Sequence, residues 1–311
     1  MLAAMTDSSA GDRIVMLGVD GGPRLNAVAP DRPWAKPALA LVVEGAVYLV
    51  DAGYDTARQL VASGLGFGAI EQVFITHHHF DHTSGLPGVA LHGWTAPQRL
   101  TSAGLWGPPG TAATVQGVET AFAEAHRLFS VGGGFGPRPV LTPHDVVLPA
   151  GGGVHPVMED DRVVVEATRV FHGPEVVDAY AYRFTVKRTG TVAVFSGDTA
   201  APDANLIELA RGCDVLVHEV QDNDNVQRIA DSFPNPEQGA ALKRHLLEAH
   251  SDVRGVPRVA HAAGARRVVF SHYTPLPQSP AAYLEKAQAV ADEIGYPGEV
   301  IAPAELDVIP L

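Results

Sequence analysis

The sequence predicts an α/β (α+β) protein that forms a single domain over residues 1–311. Of its residues, 46% are hydrophobic and 18% are charged, so the chain holds enough apolar material for a sizeable core. Short apolar runs typical of strands alternate with amphipathic segments typical of helices. The strands also end repeatedly in a titratable residue, which predicts that several strand ends converge on one pocket. These strand-end residues are Asp51, His77, His172, Asp198, His218 and His272.

The first part of the chain is predicted to contain strands that lead into a histidine-rich loop. RIVMLG predicts a strand, and LALVVEGAVYLVDAG predicts a hairpin that ends at Asp51. YDTARQLVASG predicts a helix with Asp55 or Thr56 as its cap and Gly64 as its stop. AIEQVFIT then predicts a buried strand, which is followed directly by the histidine cluster.

From about residue 93 to residue 150 the pattern is less regular. GLWGPPGTAATVQGVETAFAEAHRLF predicts a loop followed by a helix, and SVGGGFGPRP is a glycine-rich run. We interpret segment 93–150 as an insertion that covers the site formed by the strand ends.

The regular pattern returns in the second half of the chain. RVVVEATRV, YAYRFTV and TVAVF predict strands, as do DVLVHEV and RRVVFSHYTP. ANLIELARG predicts a helix, and further helices are predicted over residues 236–249, 253–263 and 280–294.

Charge and cysteine content restrict the class of protein. The chain has 22 Lys and Arg against 35 Asp and Glu, and the net charge of −13 argues against nucleic acid and anionic membrane as partners. Its apolar runs are far shorter than the ~20 residues that a membrane-spanning helix needs. The single cysteine, Cys213, cannot form an internal disulfide, and its apolar context predicts a buried thiol. We therefore expect a cytoplasmic protein.

The run FITHHHFDHTSG carries the side chains of a metal site. His77, His79, Asp81 and His82 offer imidazoles and a carboxylate, the ligand set that zinc and similar divalent ions prefer. In a short turn after a strand, residues two apart can face the same way, so His77 and His79 can bind one metal while His78 points elsewhere. A solvated histidine loop would have polar flanks, whereas this run follows the apolar VFI.

Five short motifs, spread over nearly the whole chain, resemble those of the metallo-β-lactamase superfamily. Asp51 in LVDAG resembles the first motif, and the histidine cluster matches the second in full. The third, fourth and fifth correspond in order to FHGP, FSGDT and FSHYTP, which contain His172, Asp198 and His272. The resemblance implies a four-layer αββα sandwich, with two mixed β-sheets flanked by helices.

The same resemblance implies a site for two Zn²⁺ ions per chain, which Mn²⁺ or Fe could also occupy. Asp51 would support the site by hydrogen bonding without binding metal, and Asp198 would bridge the two ions. Each of the later ligands has an ordinary alternative as a loop, turn or core residue when it is taken alone. The implied ligands are His77, His79 and His172 for one ion, and Asp81, His82 and His272 for the other.

Two further segments, HEV at 218–220 and AHSD at 249–252, resemble the paired motifs of the ribonuclease Z group. In that group a glutamate orients a histidine that protonates the leaving oxygen, and the roles carry over to Glu219 and His250. The family pattern ends in threonine where this chain has Asp252, a change that we expect to alter a helix cap. The alternative for His250 is a favourable cation at a helix end. His218 is interpreted as a core or supporting residue.

These residues imply a dinuclear hydrolase in which metal-bound hydroxide attacks, Asp81 holds the proton of the nucleophile and His250 is the general acid. A proton donor suits a leaving alkoxide or phenoxide, so the expected substrate is a small-molecule ester of phosphodiester or aryl sulfate type. One alternative is a lactonase or carboxylic-ester hydrolase on the same metals, with Tyr273 as an oxyanion stabiliser. A non-catalytic binding protein is another, but such a member would be expected to lack one or more ligands.

Processing of transfer RNA is a further alternative, and the sequence argues against it. The bacterial ribonuclease Z pattern carries a long arm between the third and fourth motifs, and that arm clamps the RNA. In this chain His172 and Asp198 are only 26 positions apart, and the predicted strands occupy that interval. The sequence therefore resembles the arm-less members described as arylsulfatase-like or phosphodiesterase-like. Because similar enzymes often pair, we expect a homodimer.

Overall fold

The computed structural model describes residues 11–25, 27–29, 32–133, 135–136, 138, 140–275 and 279–311. Segments of alternating or continuous apolar residues form the central strands of its two large sheets, as the sequence predicts for buried sheets. In chain order, the strands within these residues are β1 (Arg13–Gly18), β2 (Ala27–Ala29), β3 (Arg32–Pro33), β4 (Ala38–Val43), β5 (Ala46–Val50), β6 (Ile70–Phe74), β7 (Ser102–Gly107), β8 (Val140–Asp145), β9 (His155–Glu159), β10 (Val163–Val170), β11 (Ala179–Val186), β12 (Val192–Phe195), β13 (Val215–Gln221), β14 (Arg267–Thr274), β15 (Glu299–Ile301) and β16 (Val308–Pro310).

Helices connect most of the parallel strands. Among the described residues, none of the helices combines the length and the apolar character that crossing a membrane requires. In chain order, the α-helices are α1 (Thr56–Ala62), α2 (Phe80–Thr83), α3 (Leu86–Thr95), α4 (Thr111–Ala121), α5 (Ala123–Gly132), α6 (Ala204–Leu209), α7 (Asn223–Asp231), α8 (Pro236–Ala249), α9 (Val256–Ala263) and α10 (Pro280–Ile294).

The chain divides into two compact units, each with one large sheet. Among the described residues, unit 1 comprises segments of 11–18, 35–147 and 305–310. Unit 2 comprises segments of 19–34 and 148–304, with residue 311. The single domain over residues 1–311 stays a prediction.

The sheet of unit 1 has seven strands in the order β16-β1-β4-β5-β6-β7-β8. The pairings from β16 to β5 are antiparallel, and those from β5 to β8 are parallel. The predicted hairpin is β4 and β5, and its turn residues Glu44 and Gly45 have φ angles of 51° and 84°, as a two-residue hairpin turn requires. Because β5 and β6 are parallel, Asp51 and the histidine cluster follow strand ends at the same edge of the sheet.

Helix α1 begins and ends where the sequence predicts, but Asp55 does not cap it through its side chain. Asp55 has a φ of 77°, and its side chain accepts no capping hydrogen bond from a backbone N–H of the first turn. Its carboxylate instead accepts a hydrogen bond from Arg58 Nε at 2.7 Å. A capping residue needs an extended backbone, so the left-handed conformation of Asp55 explains the difference. Gly64, with a φ of 77°, follows the helix as predicted.

Part of segment 93–150 belongs to the sheet. Residues 105–107, predicted as a loop, lie in strand β7, where Ala103, Leu105 and Gly107 alternate with less buried neighbours. Strand β8 completes this edge, and helices α4 and α5 lie between the two strands in sequence. That the segment covers a site stays a prediction.

The sheet of unit 2 also has seven strands, in the order β15-β14-β13-β12-β11-β10-β9. Its pairings from β15 to β12 are parallel and those from β12 to β9 are antiparallel. His172 follows β10, Asp198 follows β12, and His272 lies near the end of β14. Helices α8 and α10 have the predicted bounds, whereas α9 begins at Val256, later than predicted, and α7 was not predicted.

Candidate metal centre

The histidine cluster of unit 1 forms where strand β6 ends and the short helix α2 begins. His77, Asp81 and His82 are buried, whereas His78 is exposed. Nε2 of His77 lies 2.9 Å from Nδ1 of His79. Two ring nitrogens that face each other at this distance are spaced much like two ligands of one zinc ion, whose Zn–N bonds are ~2.0–2.1 Å long. The structure thus brings together the two histidines that the sequence assigns to one metal.

Asp51 positions His82, and each of its two carboxylate oxygens has a contact. Its Oδ1 accepts a hydrogen bond from the backbone N–H of Thr76 at 2.8 Å. Its Oδ2 lies 2.8 Å from Nδ1 of His82. A carboxylate that holds one ring nitrogen fixes the ring and directs the other nitrogen, here Nε2, towards a metal. In this structure Nε2 of His82 lies 3.6 Å from Asp81 Oδ2.

Unit 2 contributes a second group of buried ligand candidates, His172, Asp198 and His272. Oδ2 of Asp198 lies 3.0 Å from Nε2 of His272 and 3.7 Å from Nε2 of His172. Nδ1 of His172 donates to the carbonyl of Ala249 at 3.0 Å, which leaves Nε2 as its ligand nitrogen. His272 has a φ of 50°, an unusual conformation for a residue other than glycine and one often found at functional sites.

The chemistry of both groups fits a divalent cation. A carboxylate that is removed from water costs free energy unless a cation or hydrogen bonds compensate it. Asp81 and Asp198 are both nearly fully buried, and each has its carboxylate beside imidazole nitrogens. Neutral imidazoles and carboxylates are the donors that zinc and its neighbours in the periodic table bind.

His250 and Glu219 form the pair that the sequence predicts. Oε1 of Glu219 accepts hydrogen bonds from the backbone N–H groups of Ser251 at 3.0 Å and Thr199 at 3.2 Å. The same oxygen lies 3.2 Å from Nδ1 of His250. The His250 ring is stacked on that of His272, with centroids 5.5 Å apart. Ligand atoms of Asp198, His250 and His272 all lie within 4.8 Å of one another.

His218 and Cys213, which the sequence does not assign to the chemistry, are both fully buried. Burial lowers the pKa of His218 from its ordinary value, so this histidine is neutral and its ring is part of the interior. Burial raises the pKa of the Cys213 thiol to about 12, which excludes a thiolate nucleophile. Asp252 accepts hydrogen bonds from the backbone N–H groups of Arg254 at 2.9 Å and Asn223 at 3.2 Å, but it does not cap α9 as expected, because that helix begins at Val256 with Gly255 as its N-cap residue.

His245 belongs to none of the motifs found in the sequence, but the structure places it in the cluster of unit 2. Its ring lies 5.7 Å from that of His172 and 5.9 Å from that of His250. Its Nδ1 lies 2.5 Å from Oε1 of Glu175. The spacing HLLEAH gives no signal of this contact, because residues five apart on a helix point ~140° apart and His250 ends the helix with an extended backbone.

The comparison with known proteins decides the family. The profile of the family described as "Beta-lactamase superfamily domain" matches residues 47–273. The chain belongs to the metallo-β-lactamase superfamily. It is 30% identical over 250 residues to a ribonuclease Z of Mycobacterium bovis (strain BCG / Pasteur 1173P2), and this match covers 79% of the chain and 82% of the relative.

Solved structures of the superfamily share the fold. Human tRNase Z, short form (ELAC1), matches with a TM-score of 0.66 and 21% identity, over 96% of this chain and all of that one (100%). A diphosphatase from the PhnP family matches with a TM-score of 0.61 and 18% identity, over 96% and 98% of the two chains. The predicted fold class, two mixed β-sheets flanked by helices in the metallo-β-lactamase arrangement, is confirmed.

Membership of the superfamily also establishes the kind of protein. Family membership and the similarity to ribonuclease Z proteins show that the chain is a metal-dependent hydrolase that acts on ester bonds. Divalent metal binding follows from the same membership, whereas the metal's identity and number stay predictions, as do the individual ligand roles. The likeness to arylsulfatases also stays a prediction.

His78 provides a test of the ligand register in this superfamily member. Its Nε2 lies 3.2 Å from the carbonyl oxygen of Pro108, at the loop where α4 begins. We expect His78→Ala to keep the metal content of the parent protein, because the His78 side chain contacts the loop at Pro108 and is not a proposed ligand. His79→Ala should lose about one equivalent of metal, because it removes a ligand. Metal analysis of both purified variants by mass spectrometry measures this; the reverse pattern would show that the register is wrong.

Proposed function

We propose that this protein is a dinuclear zinc hydrolase of small-molecule phosphodiesters, with His250 as the general acid. The observation that carries the proposal is the contact of Glu219 Oε1 with His250 Nδ1 at 3.2 Å, beside Asp198 and His272. A histidine held in this way by a carboxylate has a fixed orientation and is equipped to donate a proton.

The proposed ligands of two Zn²⁺ ions are the seven residues assigned from the sequence, and Mn²⁺ or Fe would use the same set. When bound, such ions lower the pKa of a bound water from ~15.7 towards neutrality and stabilise developing charge. The support from the structure lies within each unit, in the facing nitrogens of His77 and His79 and in the carboxylate of Asp198 beside two imidazoles.

Glu219 and His250 are proposed to serve the proton transfer to the leaving group, and Asp81 that from the nucleophile. Glu219 accepts the Nδ1 proton of His250, so Nε2 of His250 carries the proton that is given to the leaving oxygen. The same carboxylate fixes the orientation of the imidazole ring for that transfer. The buried carboxylate of Asp81 is proposed to hold the proton of the nucleophile.

A phosphodiester is favoured over a lactone by the position of Tyr273. The sequence suggested its hydroxyl as an oxyanion stabiliser for a lactonase. That hydroxyl instead donates to the carbonyl of Pro303 at 2.9 Å, and the side chain is fully buried. Phosphodiester chemistry is also what the name ribonuclease Z implies for the relatives. Aryl sulfates stay the nearest alternative, because the same proton donor would serve a phenoxide leaving group.

Maturation of transfer RNA is the second candidate, because the curated relatives bear the name ribonuclease Z. Against it stands the segment between His172 and Asp198, all of which the structure describes. Strands β11 and β12 with their short connections occupy this segment, so it has no room for an RNA-clamping arm. The net charge of −13 also argues against an extended phosphate-binding surface.

A substrate panel tests the proposed function directly. Zinc-loaded protein should hydrolyse methyl aryl phosphodiesters faster than matched aryl sulfates, lactones or β-lactams, and it should leave a transfer-RNA precursor uncut. Product release measured by absorbance and a gel assay of the RNA provide the two readouts. Preferred turnover of a lactone or specific cleavage of the RNA would refute the proposal. A protein without activity on any member of the panel would favour a non-catalytic role.

The cellular location and the assembly also belong to the proposal. We propose a cytoplasmic enzyme that acts as a homodimer, as the sequence led us to expect. Light scattering at micromolar concentration measures the mass, and a value for one chain of 32.7 kDa would exclude the dimer.

A further inference from the structure

A cavity within unit 2 begins beside the proposed metal ligand His272. Its volume is about 290 Å³, and its walls come from residues 21–24, helices α7 and α8, and the end of β14. This volume is just below the ~300–1,000 Å³ range of small-molecule sites. The cavity therefore has room for a small organic group and not for an oligonucleotide.

Two glycines bring the wall of the cavity close to His272. A Cβ atom at Gly21 would lie only 2.4 Å from Nδ1 of His272 and 2.3 Å from Oγ1 of Thr274, so a larger residue would displace this loop. The backbone N–H of Gly22 donates to Nε2 of His272 at 3.3 Å. The wall of the cavity at Gly21 and Gly22 therefore adjoins the proposed metal ligand His272.

Helix α8 links the cavity to the proposed general acid. Leu246 lines the cavity, and His250 follows it by four residues at the end of the same helix. Residues four apart lie on the same face of a helix. A leaving oxygen that receives its proton from His250 would thus carry its substituent along this face of α8, into the cavity.

The walls of the cavity combine apolar surface with positive charge. Ile229, Phe233, Leu242 and Leu246 supply the apolar part. The charged residues that line it are Arg24 and Arg228, and its described lining includes no carboxylate, although the chain as a whole has a net charge of −13.

Arg24 is held in place at this wall. Its guanidinium carbon lies 4.1 Å from the centroid of the Phe233 ring, a cation–π contact. Its Nη1 also donates to Oγ of Ser232 at 2.9 Å. A planar guanidinium fixed in this way is suited to pair with an anionic group of a ligand that lies on the apolar wall.

We infer that this cavity binds the leaving group of the substrate, and that the leaving group is an aromatic ring with an anionic substituent. The inference rests on the proposed function, since the position of the leaving group follows from His250 as the acid. The ring lies against the apolar wall, and the anionic substituent pairs with Arg24 and Arg228.

A matched pair of substrates tests this inference. Methyl 3-carboxyphenyl phosphate and methyl 3-carbamoylphenyl phosphate have leaving groups of the same shape that differ in charge. We expect Arg228→Gln to reduce the ratio of their kcat/KM values, carboxylate over amide, by about tenfold, mainly through KM, since it removes one charge-assisted contact. Arg24→Gln should act in the same direction. The intrinsic reactivity of each ester is the same for every variant, so the change in the ratio isolates the cavity.

Arg244→Gln is the matched control, because Arg244 is an exposed arginine of α8 that does not line the cavity. It should leave the ratio unchanged. Calorimetric titration with 3-hydroxybenzoate, the expected phenol product, gives a readout that does not depend on turnover. Binding that weakens about tenfold in Arg228→Gln supports the cavity as the anionic-ring site.

The outcomes separate this inference from the proposed function. Hydrolysis of both esters with the same ratio in all variants would overturn the inference and leave the proposed function intact. Binding of 3-hydroxybenzoate that weakens about tenfold in Arg228→Gln, without turnover of any ester, would support the cavity while the proposed function fails. Absence of both binding and a charge preference in the parent protein would also overturn the inference.

Discussion

Replacement of His250 by alanine should slow the hydrolysis of a poor leaving group far more than that of a good one. We expect His250→Ala to keep its metals but to lose ~10²–10⁴-fold in turnover of methyl phenyl phosphate, the range that general acid catalysis contributes. Methyl 4-nitrophenyl phosphate should lose much less, because its phenolate departs without a proton. Steady-state rates on the two esters, with metal content measured in parallel, provide the comparison.

Two further variants define the meaning of that result. Glu219→Gln should show a weaker form of the same dependence, because it misorients the acid without removing it. His261→Ala is the matched control, since His261 is an exposed histidine of α9 outside both clusters. Equal losses on both esters in His250→Ala, or no loss, would mean that His250 is structural, and the lactonase alternative would then gain support.

Replacement of Asp198 by asparagine should remove activity on every ester. The change keeps the shape of the side chain but removes the negative charge that lies 3.0 Å from His272 Nε2 and 3.7 Å from His172 Nε2. We expect the loss of at least one metal equivalent and a ~10³-fold loss of turnover. The estimate follows from the several kcal/mol that metal ions contribute to catalysis, since each ~1.36 kcal/mol is a factor of ten in rate.

Asp203→Asn is the control for charge removal in the same region. Asp203 accepts hydrogen bonds from the backbone N–H groups of Phe171 at 2.9 Å and Leu206 at 2.9 Å, and the latter contact caps helix α6. Asparagine caps helices about as well as aspartate, so this variant should retain its metal and most of its activity. An Asp198→Asn protein with full metal content and normal rates would exclude the bridging role.

The strand ends that carry the candidate site residues could be predicted, because an apolar run and a titratable residue coincide there. Asp51, His77 and His272 each follow or end a run of apolar residues, and such a run has no packing reason to finish in a titratable side chain. The same apolar runs predict the central strands of both sheets. Edge strands were missed, since β9, β15 and β16 are short and have little apolar alternation.

Helix α7 and strand β7 were not predicted from the sequence, and each has its own reason. In α7 the apolar residues Val226, Ile229 and Ala230 have the i, i+3, i+4 spacing of a helix, but they are only three of the nine residues in NDNVQRIAD, so the signal is short. Strand β7 has alternating burial, but its glycines, and the prolines that follow, are typical of loops. Tertiary pairing with β6 and β8, which no local pattern reveals, decides that segment.

The contact between Glu219 and His250 shows what the resemblance of short motifs can predict. The pairing of Glu219 with His250 was predicted from two short segments, and the structure places their atoms in contact. His245 was missed because its neighbours in sequence carry no motif. Its place beside His172 depends on how α8 meets the end of β10, which is a property of the folded chain.

The pairing of β16 with β1 has a consequence for how the chain is made. Arg13 lies opposite Pro310, so a sheet that begins near one end of the sequence is completed near the other. On the ribosome, unit 1 must wait for all of segment 148–304, which belongs to unit 2, before that edge closes. Meanwhile the open edge of β1 presents backbone groups that neighbouring chains can bind. Unit 1 therefore cannot be completed before unit 2 has been synthesised, and expression of residues 1–147 alone should give an aggregating fragment.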